Sequence, residues 1–298
     1  MSENTISRRS LLQGASGLAA GALIGSALAS NPAHAAEPAR KKRTILAIGA
    51  HLDDPEIGAG GVIAKAVKNG HRVVVVDVCG DFSTFRVTRG REREVREKLL
   101  AHAQKMGIEK RFLDYGYQQI ADDLPLMQRL AEIVVELNPD IAFIHSRFER
   151  DRSPSDHSTM GAISERSVRN AETILGVSKP EYTSYGKEIY AYEVYPQPSF
   201  VPDVFVDIRD VLKETLESVN FFGTDIYAPS PAWPKAGRTD VTMQVHPEDW
   251  ELPLTHYAEM KYALAVFRGY QSGTRFAEGF KALDPAVLGR RVLQEVVS

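Results

Sequence analysis

Ala50-His51-Leu52-Asp53-Asp54-Pro55-Glu56 gathers one imidazole and three carboxylates within seven residues, directly after the apolar run Thr44-Ile45-Leu46-Ala47-Ile48-Gly49. That run reads as a buried strand. A histidine and two adjacent acids at a strand mouth can grip a cation and leave one carboxylate free to move protons. An α/β sheet places its chemistry there, beyond the carboxyl ends of its strands. His51 and Asp54 stand three apart, so a turn brings both to one ion with Asp53 beside it. The third ligand expected is His157, in Ser153-Pro154-Ser155-Asp156-His157. Two imidazoles, one carboxylate and an open position describe a catalytic Zn2+ site. Another divalent ion is also compatible, because such donor sets discriminate poorly by affinity. Asp156 is then an outer partner that orients a ligand, and Asp53 a base for water on the metal. The competing reading of each cluster is helix capping by an aspartate.

The elements that must position these residues alternate between strand-like and helix-like patterns, which predicts an α/β fold with a parallel sheet. Strands are expected at 44–50, 72–78, 111–115, 141–145, 188–194 and 203–208. Helices are expected from Pro55 or Ile57 to Lys68, and over 91–106, 124–137, 157–175, 209–222, 254–267 and 285–297. The run Val73-Val74-Val75-Val76 suits a central strand buried on both faces. Residues 223–249, with Pro229, Pro231 and Pro234, read as a long loop over one face.

The amino terminus reads as an address. Ser7-Arg8-Arg9-Ser10-Leu11-Leu12 is a twin-arginine signature, followed by a Gly- and Ala-rich apolar stretch and the small-residue site Ala33-His34-Ala35. The expectation is a signal peptide over 1–35, a periplasmic or secreted product and no stable membrane span after cleavage; the alternative is an uncleaved anchor. Cleavage leaves 298 − 35 = 263 residues, enough for one large domain over 36–298. It removes Glu3, Arg8 and Arg9, so the formal charge goes from −3 to −4. A mildly acidic chain without a basic stripe argues against nucleic acid as a partner. Cys79, the single cysteine, reads as a small core residue. Oligomeric state is not legible.

Ala50-His51-Leu52-Asp53-Asp54-Pro55-Glu56 resembles the Ala-His-Pro-Asp-Asp-Glu signature of the PIG-L family of zinc-dependent N-deacetylases. Asp156-His157 resembles the second half of that family's His-Pro-Asp-His signature. Arg268-Gly269, Tyr270-Gln271-Ser272-Gly273 and Phe276-Ala277-Glu278-Gly279-Phe280 are similar to its closing motif. Arg89-Gly90-Arg91-Glu92 before a helix ending at Met106-Gly107-Ile108 fits its second βα unit. The resemblance implies a Rossmann-like three-layer sandwich with a mostly parallel central sheet. It further implies an enzyme that hydrolyses an N-acyl amide, usually the N-acetyl group of an amino sugar or related glycoconjugate. His51, Asp54 and His157 then become zinc ligands and Asp53 the general base. Leu52 and Pro55 are tolerable departures. Pro154 is not, because it stands where the family has a histidine that helps the oxyanion or protonates the leaving amine. His145, ending the fourth strand, is the candidate replacement; His246 and His256 are weaker ones, and His71 and His102 read as surface residues. Arg86, Arg89 and Arg91 are candidate substrate contacts. Glu278 is a candidate site neighbour, and Tyr270 and Phe276 read as core. Pro154 keeps open a catalytically impaired, metal-containing glycan-binding relative. A dinucleotide oxidoreductase is poorly matched, since Gly58-Ala59-Gly60-Gly61 does not fit the Gly-x-Gly-x-x-Gly turn.

Overall fold

The computed structural model describes residues 41–149, 156–177, 182–183, 187–197, 199–228, 242–246, 250–283 and 292–298. The expected signal segment, Pro154 and the Pro229–Pro234 stretch lie outside them. The elements in chain order are β1 (Thr44–Gly49), α1 (Asp54–Lys68), β2 (Arg72–Asp77), α2 (Glu92–Lys105), β3 (Glu109–Phe112), α3 (Leu124–Leu137), β4 (Ile141–His145), α4 (Asp156–Leu175), β5 (Glu188–Tyr192), β6 (Val204–Asp207), α5 (Leu212–Phe221), β7 (Thr242–His246), β8 (Trp250–Pro253), α6 (His256–Ser272), β9 (Ala277–Ala282) and α7 (Val292–Val297).

Seven strands form one sheet in the order β3-β2-β1-β4-β5-β9-β6. β1 pairs in parallel with β2 on one side and β4 on the other, and β2–β3 and β4–β5 are also parallel. β9 runs antiparallel between β5 and β6. The fold is therefore α/β with a mostly parallel sheet, as expected. Alternation along the strands divides the core. Ile45, Ala47, Val73, Val75 and Phe143 pack with α1, α5, α6 and α7 on one face, while Leu46, Ile48, Val74, Val76 and Ile144 pack with α3 and α4 on the other. The chain steps outward from β1 to β3 and then returns to β4 beside β1. That reversal opens a crevice at the carboxyl ends of β1 and β4, where α/β sheets bind ligands.

Element ends follow local chemistry. α3 starts where the Asp123 side chain accepts the Leu126 N–H at 3.0 Å and stops at Asn138 in the left-handed region, φ 44°. α1 breaks at Ala59 (φ −134°), and the buried Glu278 carboxylate accepts Gly61 N at 2.7 Å and Val62 N at 2.9 Å, capping the helix anew. Lys261 pairs with Glu278 and also donates to Ile57 O at 2.7 Å. Glu278 therefore serves the α1 kink and does not line the pocket.

Several expectations are corrected. The strand expected over 111–115 occupies Glu109–Phe112. The stretch read as a loop from 223 begins with a π-helical turn, Phe222–Tyr227, and β7 and β8 pair as an antiparallel hairpin. β9, met in the sequence as part of the closing motif, is a strand. Tyr270 is 84% exposed, whereas Phe276 is buried. His71 is buried, accepting Arg43 N at 3.2 Å through Nδ1. His102 is half-buried, stacked on Phe221 at 3.9 Å. Gly58 and Gly61 lie within α1 against Tyr192 and Ile208, with no room for a phosphate. Among the described residues, no helix is long and apolar enough to cross a membrane.

Candidate metal centre

The turn after β1 sends two neighbouring acids in different directions. Gly49 permits its tightness, since a Cβ there would lie 2.6 Å from Pro55 Cδ. Asp53 occupies the N-cap position of α1 (φ −130°, ψ −8°) but makes no side-chain cap bond. Capping therefore does not account for it. Asp54 is the first helical residue, and its Oδ2 accepts the His51 main-chain N–H at 2.7 Å. His145, at the end of β4, faces the same oxygen through Nε2 at 3.0 Å. His157 enters from the first turn of α4.

These positions converge. His51 Nδ1 lies 3.1 Å from His157 Nε2, His157 Nε2 lies 3.4 Å from Asp54 Oδ1, and His51 Nδ1 lies 3.4 Å from Asp54 Oδ2. Tetrahedral bonds of about 2.0–2.1 Å to nitrogen or oxygen would hold ligand atoms roughly 3.3–3.4 Å apart. The far edges of both rings face acids. His51 Nε2 is 3.0 Å from Asp156 Oδ2, and His157 Nδ1 is 3.6 Å from Glu149 Oε2. Asp156 hydrogen-bonds the outer edge of His51, and the Glu149 charge favours a proton on the outer edge of His157. The inner nitrogens then turn lone pairs toward one another and toward Asp54, an arrangement that a cation satisfies. His51, Asp54 and His157 thus form a group fit to hold a metal ion.

The titration behaviour agrees. Burial alone lowers the His51 pKa, but the Asp54 charge and hydrogen bonds donated to Asp156 and Asp54 outweigh it and lift the value to about 9. His157 is likewise raised, burial being outweighed by Asp54 and Glu149. Burial would push Asp54 up, yet the three imidazoles hold it well below the usual carboxylate range. Positive charge belongs at this point, and protons stand where a divalent ion fits. Asp53 behaves oppositely. Burial and then the Asp54 charge push it up to about 6, against the Tyr227 hydroxyl donating to Oδ2 at 2.8 Å.

Asp156 stands where the outer partner was expected, accepting also from Gln118 N at 2.9 Å. Gln118 adopts φ 59°, uncommon for a non-glycine residue. His145 does not face the pocket. It lies buried beneath Asp54, with Nδ1 3.2 Å from Glu149 Oε2. The histidine weighed as a replacement oxyanion donor is thus placed against the ligand cage. Arg89 donates to Ser83 O at 2.8 Å and Arg91 to Ile226 O at 3.0 Å, and Arg86, Arg89 and Arg91 do not line the pocket. His246 lies on β7, while His256 lines the pocket.

Sequence reasoning missed three supports. Tyr227, which holds Asp53, comes from the π-helical turn. Glu149 lies just past β4. Lys110 is buried on β3, donating to Leu52 O at 2.9 Å and lying 2.7 Å from Glu56 Oε1 and 2.8 Å from Asp77 Oδ2. The signal for Lys110 was available, because a lysine buried within a short strand must find acids. Above the ligands opens a cavity of about 560 Å³, walled by Phe82, Phe85, Tyr117, Tyr195, Tyr227 and Tyr257, with Asp53, Asp81 and Cys79 also on its surface. Cys79 is buried, as expected.

Comparison with known proteins fits this geometry. A family model described as GlcNAc-PI de-N-acetylase (PIG-L) matches residues 46–168, which include all three metal-site residues. The chain is 26% identical over 174 residues to the uncharacterized deacetylase YaiS of Escherichia coli, covering 58% of this chain and 85% of that one. It is 23% identical over 258 residues to diacetylchitobiose deacetylase of Thermococcus kodakarensis, covering 82% and 85%. It is also 26% identical over 187 residues to 4-oxalmesaconate hydratase of Pseudomonas putida, covering 57% and 69%. In structure it resembles N,N'-diacetylchitobiose deacetylase of Pyrococcus horikoshii, with TM-score 0.62, 22% identity and coverage of 83% and 85%. The matched signature over residues 46–168 makes that part of the chain PIG-L-like, and the α/β sheet has the fold of the deacetylase structure it resembles.

Proposed function

We propose that this protein is an exported, metal-dependent amidohydrolase that removes an N-acyl group, most simply N-acetyl, from an amino sugar or related glycoconjugate. The observation that carries the reading is the convergence of His51, Asp54 and His157 beside a buried Asp53 that stands outside the ligand group on a pocket wall. Zinc suits the donor set, and a divalent ion held there supplies Lewis-acid polarisation of the acyl carbonyl and acidifies water. Asp53 does the proton work. Its raised pKa and the Tyr227 hydrogen bond fix a carboxylate that takes a proton from water and returns it to the departing amine. Asp156 and Glu149 keep the ligand rings aimed. The aromatic wall and a volume of about 560 Å³ suit the apolar ring faces of a sugar. The twin-arginine signature and Ala33-His34-Ala35 support export to the periplasm or beyond. The relatives that are named deacetylases favour amide hydrolysis over the water addition performed by a hydratase.

The test measures bound divalent metal and acetate release from a panel of N-acetyl sugars, for wild type and Asp53→Asn. The expected result is one ion per chain, release by wild type, and a fall of about 10²–10⁴-fold in the variant with metal retained. Absence of a divalent ion, or unchanged activity in Asp53→Asn, overturns the reading. Metal and sugar binding without acetate release would assign the glycan-binding alternative.

A further inference from the structure

Hydrolysis of an amide needs a donor for the carbonyl oxygen as it gains charge, and the groups nearest the ion site are mostly acceptors or already engaged. Asp53, Asp54 and Asp81 offer only acceptors when ionised. His51 and His157 turn their inner nitrogens to the ion site and their outer ones to Asp156 and Glu149. The Tyr227 hydroxyl is committed to Asp53. His145 is buried against Asp54 and Glu149.

Tyr195 is differently placed. It follows β5, whose carboxyl end borders β4 on the crevice side of the sheet. Its main-chain N–H donates to Glu149 Oε1 at 2.9 Å, and that of Val194 donates to the same oxygen at 2.8 Å. The other Glu149 oxygen faces His145 and His157. One buried carboxylate therefore fixes both a ligand imidazole and the backbone that carries this phenol. The Tyr195 ring lies almost parallel to His157, 12° between planes with centroids 5.8 Å apart. It lines the pocket, and among the described residues its hydroxyl has no hydrogen-bond partner.

We propose that Tyr195 is a catalytic residue, its hydroxyl donating a hydrogen bond to the acyl oxygen in the transition state. The inference rests on the amidohydrolase reading. As the water oxygen bonds to the carbonyl carbon, the C=O π pair moves onto oxygen and Asp53 takes the water proton. Tyr195 donates a hydrogen bond to that oxyanion without losing its own proton. Collapse re-forms C=O and breaks C–N; the nitrogen takes the proton from Asp53, leaving carboxylic acid and free amine. A phenol is suited to the task because it stays protonated at neutral pH. Burial, and next the Asp53 charge, push its pKa higher still.

The test is Tyr195→Phe, assayed for kcat and KM on the best N-acetyl sugar, bound metal, thermal stability, and affinity for glucosamine and for a phosphonamidate mimic of the tetrahedral state. Expected are a fall in kcat of about 10²–10³-fold with KM, metal content and glucosamine affinity nearly unchanged. The mimic should weaken by a comparable factor. Retention of kcat within threefold overturns the proposal, as does a fall matched by equal loss of metal or glucosamine binding, which marks a structural prop. Turnover by wild type, its loss in Asp53→Asn and its survival in Tyr195→Phe would sink this inference alone. Absence of turnover by wild type on every substrate sinks the amidohydrolase reading and this one with it.

Discussion

Asp156→Asn perturbs the proposed metal centre without touching a proposed ligand. Asp156 is 3% exposed, and one oxygen accepts from both His51 Nε2, at 3.0 Å, and Gln118 N, at 2.9 Å. An asparagine carbonyl can accept the same two bonds, so shape survives and only the charge is lost. The charged bond is worth roughly twice a neutral one. Without it the outer nitrogen holds its proton less firmly and the inner nitrogen is a weaker donor. Losses of this kind cost about 10–100-fold in metal affinity. The neutral bond retained by asparagine places this variant near the lower end, about tenfold or 1.4 kcal/mol, and Asp156→Ala near the upper, about 2.7 kcal/mol. Chelator competition at fixed pH reads the affinity directly. Thermal denaturation gives a second reading, since at saturating metal a tenfold weaker site removes about 1.4 kcal/mol of metal-dependent stabilisation. Wild-type affinity in both variants would refute the claim that the Asp156–His51 contact tunes the ligand.

Lys110→Met should cost about 3–5 kcal/mol in urea denaturation, because Glu56 and Asp77 are left buried without their cation; adding Glu56→Gln and Asp77→Asn should restore part of it, and no recovery refutes the network. His102 has its pKa lowered to about 4, by burial and then by Lys110 and Lys105. The unfolded chain therefore takes up this proton first, so stability contributed by neutral His102 is whole above about pH 6.5 and is lost as pH falls toward 4, by about 1–2 kcal/mol after allowing for partial exposure. Metal-free His102→Gln should lack that part of the slope in urea titrations. Tyr227→Phe deletes a hydrogen bond that lowers the Asp53 pKa, so Asp53 ionises at higher pH and the acid limb of kcat/KM moves upward. A bond to a charged group is worth about 1.5–3 kcal/mol, which amounts to about one to two pH units; an unmoved midpoint refutes the role.

What was legible in the sequence was what local chemistry determines. α3 was read to its ends because its amphipathic pattern stops at Asn138-Pro139 in the chain itself. His51, Asp54, His157 and Asp156 were legible because each lies at the mouth of a strand or the start of a helix, where the sheet's direction sets the facing edge. β9 was not, because Ala-Glu-Gly-Phe-Lys-Ala has little strand character and gains its identity by pairing with β5 and β6. Tyr227 reaches Asp53 across 174 positions from a π-helical turn, and no local pattern encodes that contact. His145 shows a subtler failure. Its position at a strand end was evident, yet whether it faced the pocket or the ligand cage depended on packing by Asp54 and Glu149.

In the proposed reaction the doublet Asp53-Asp54 divides between two acids what one would do badly. A ligand must stay ionised, and a base must hold a proton for part of the cycle; one carboxylate does both badly. The break in backbone conformation between the N-cap and the first helical residue points the two side chains into different surroundings. Asp54 meets three imidazoles and a main-chain N–H, which keep it ionised. Asp53 meets a phenol, a buried wall and the charge of Asp54 itself, which raise it. The ligand therefore helps to make its neighbour a base, and moving either acid by one position would destroy both environments together.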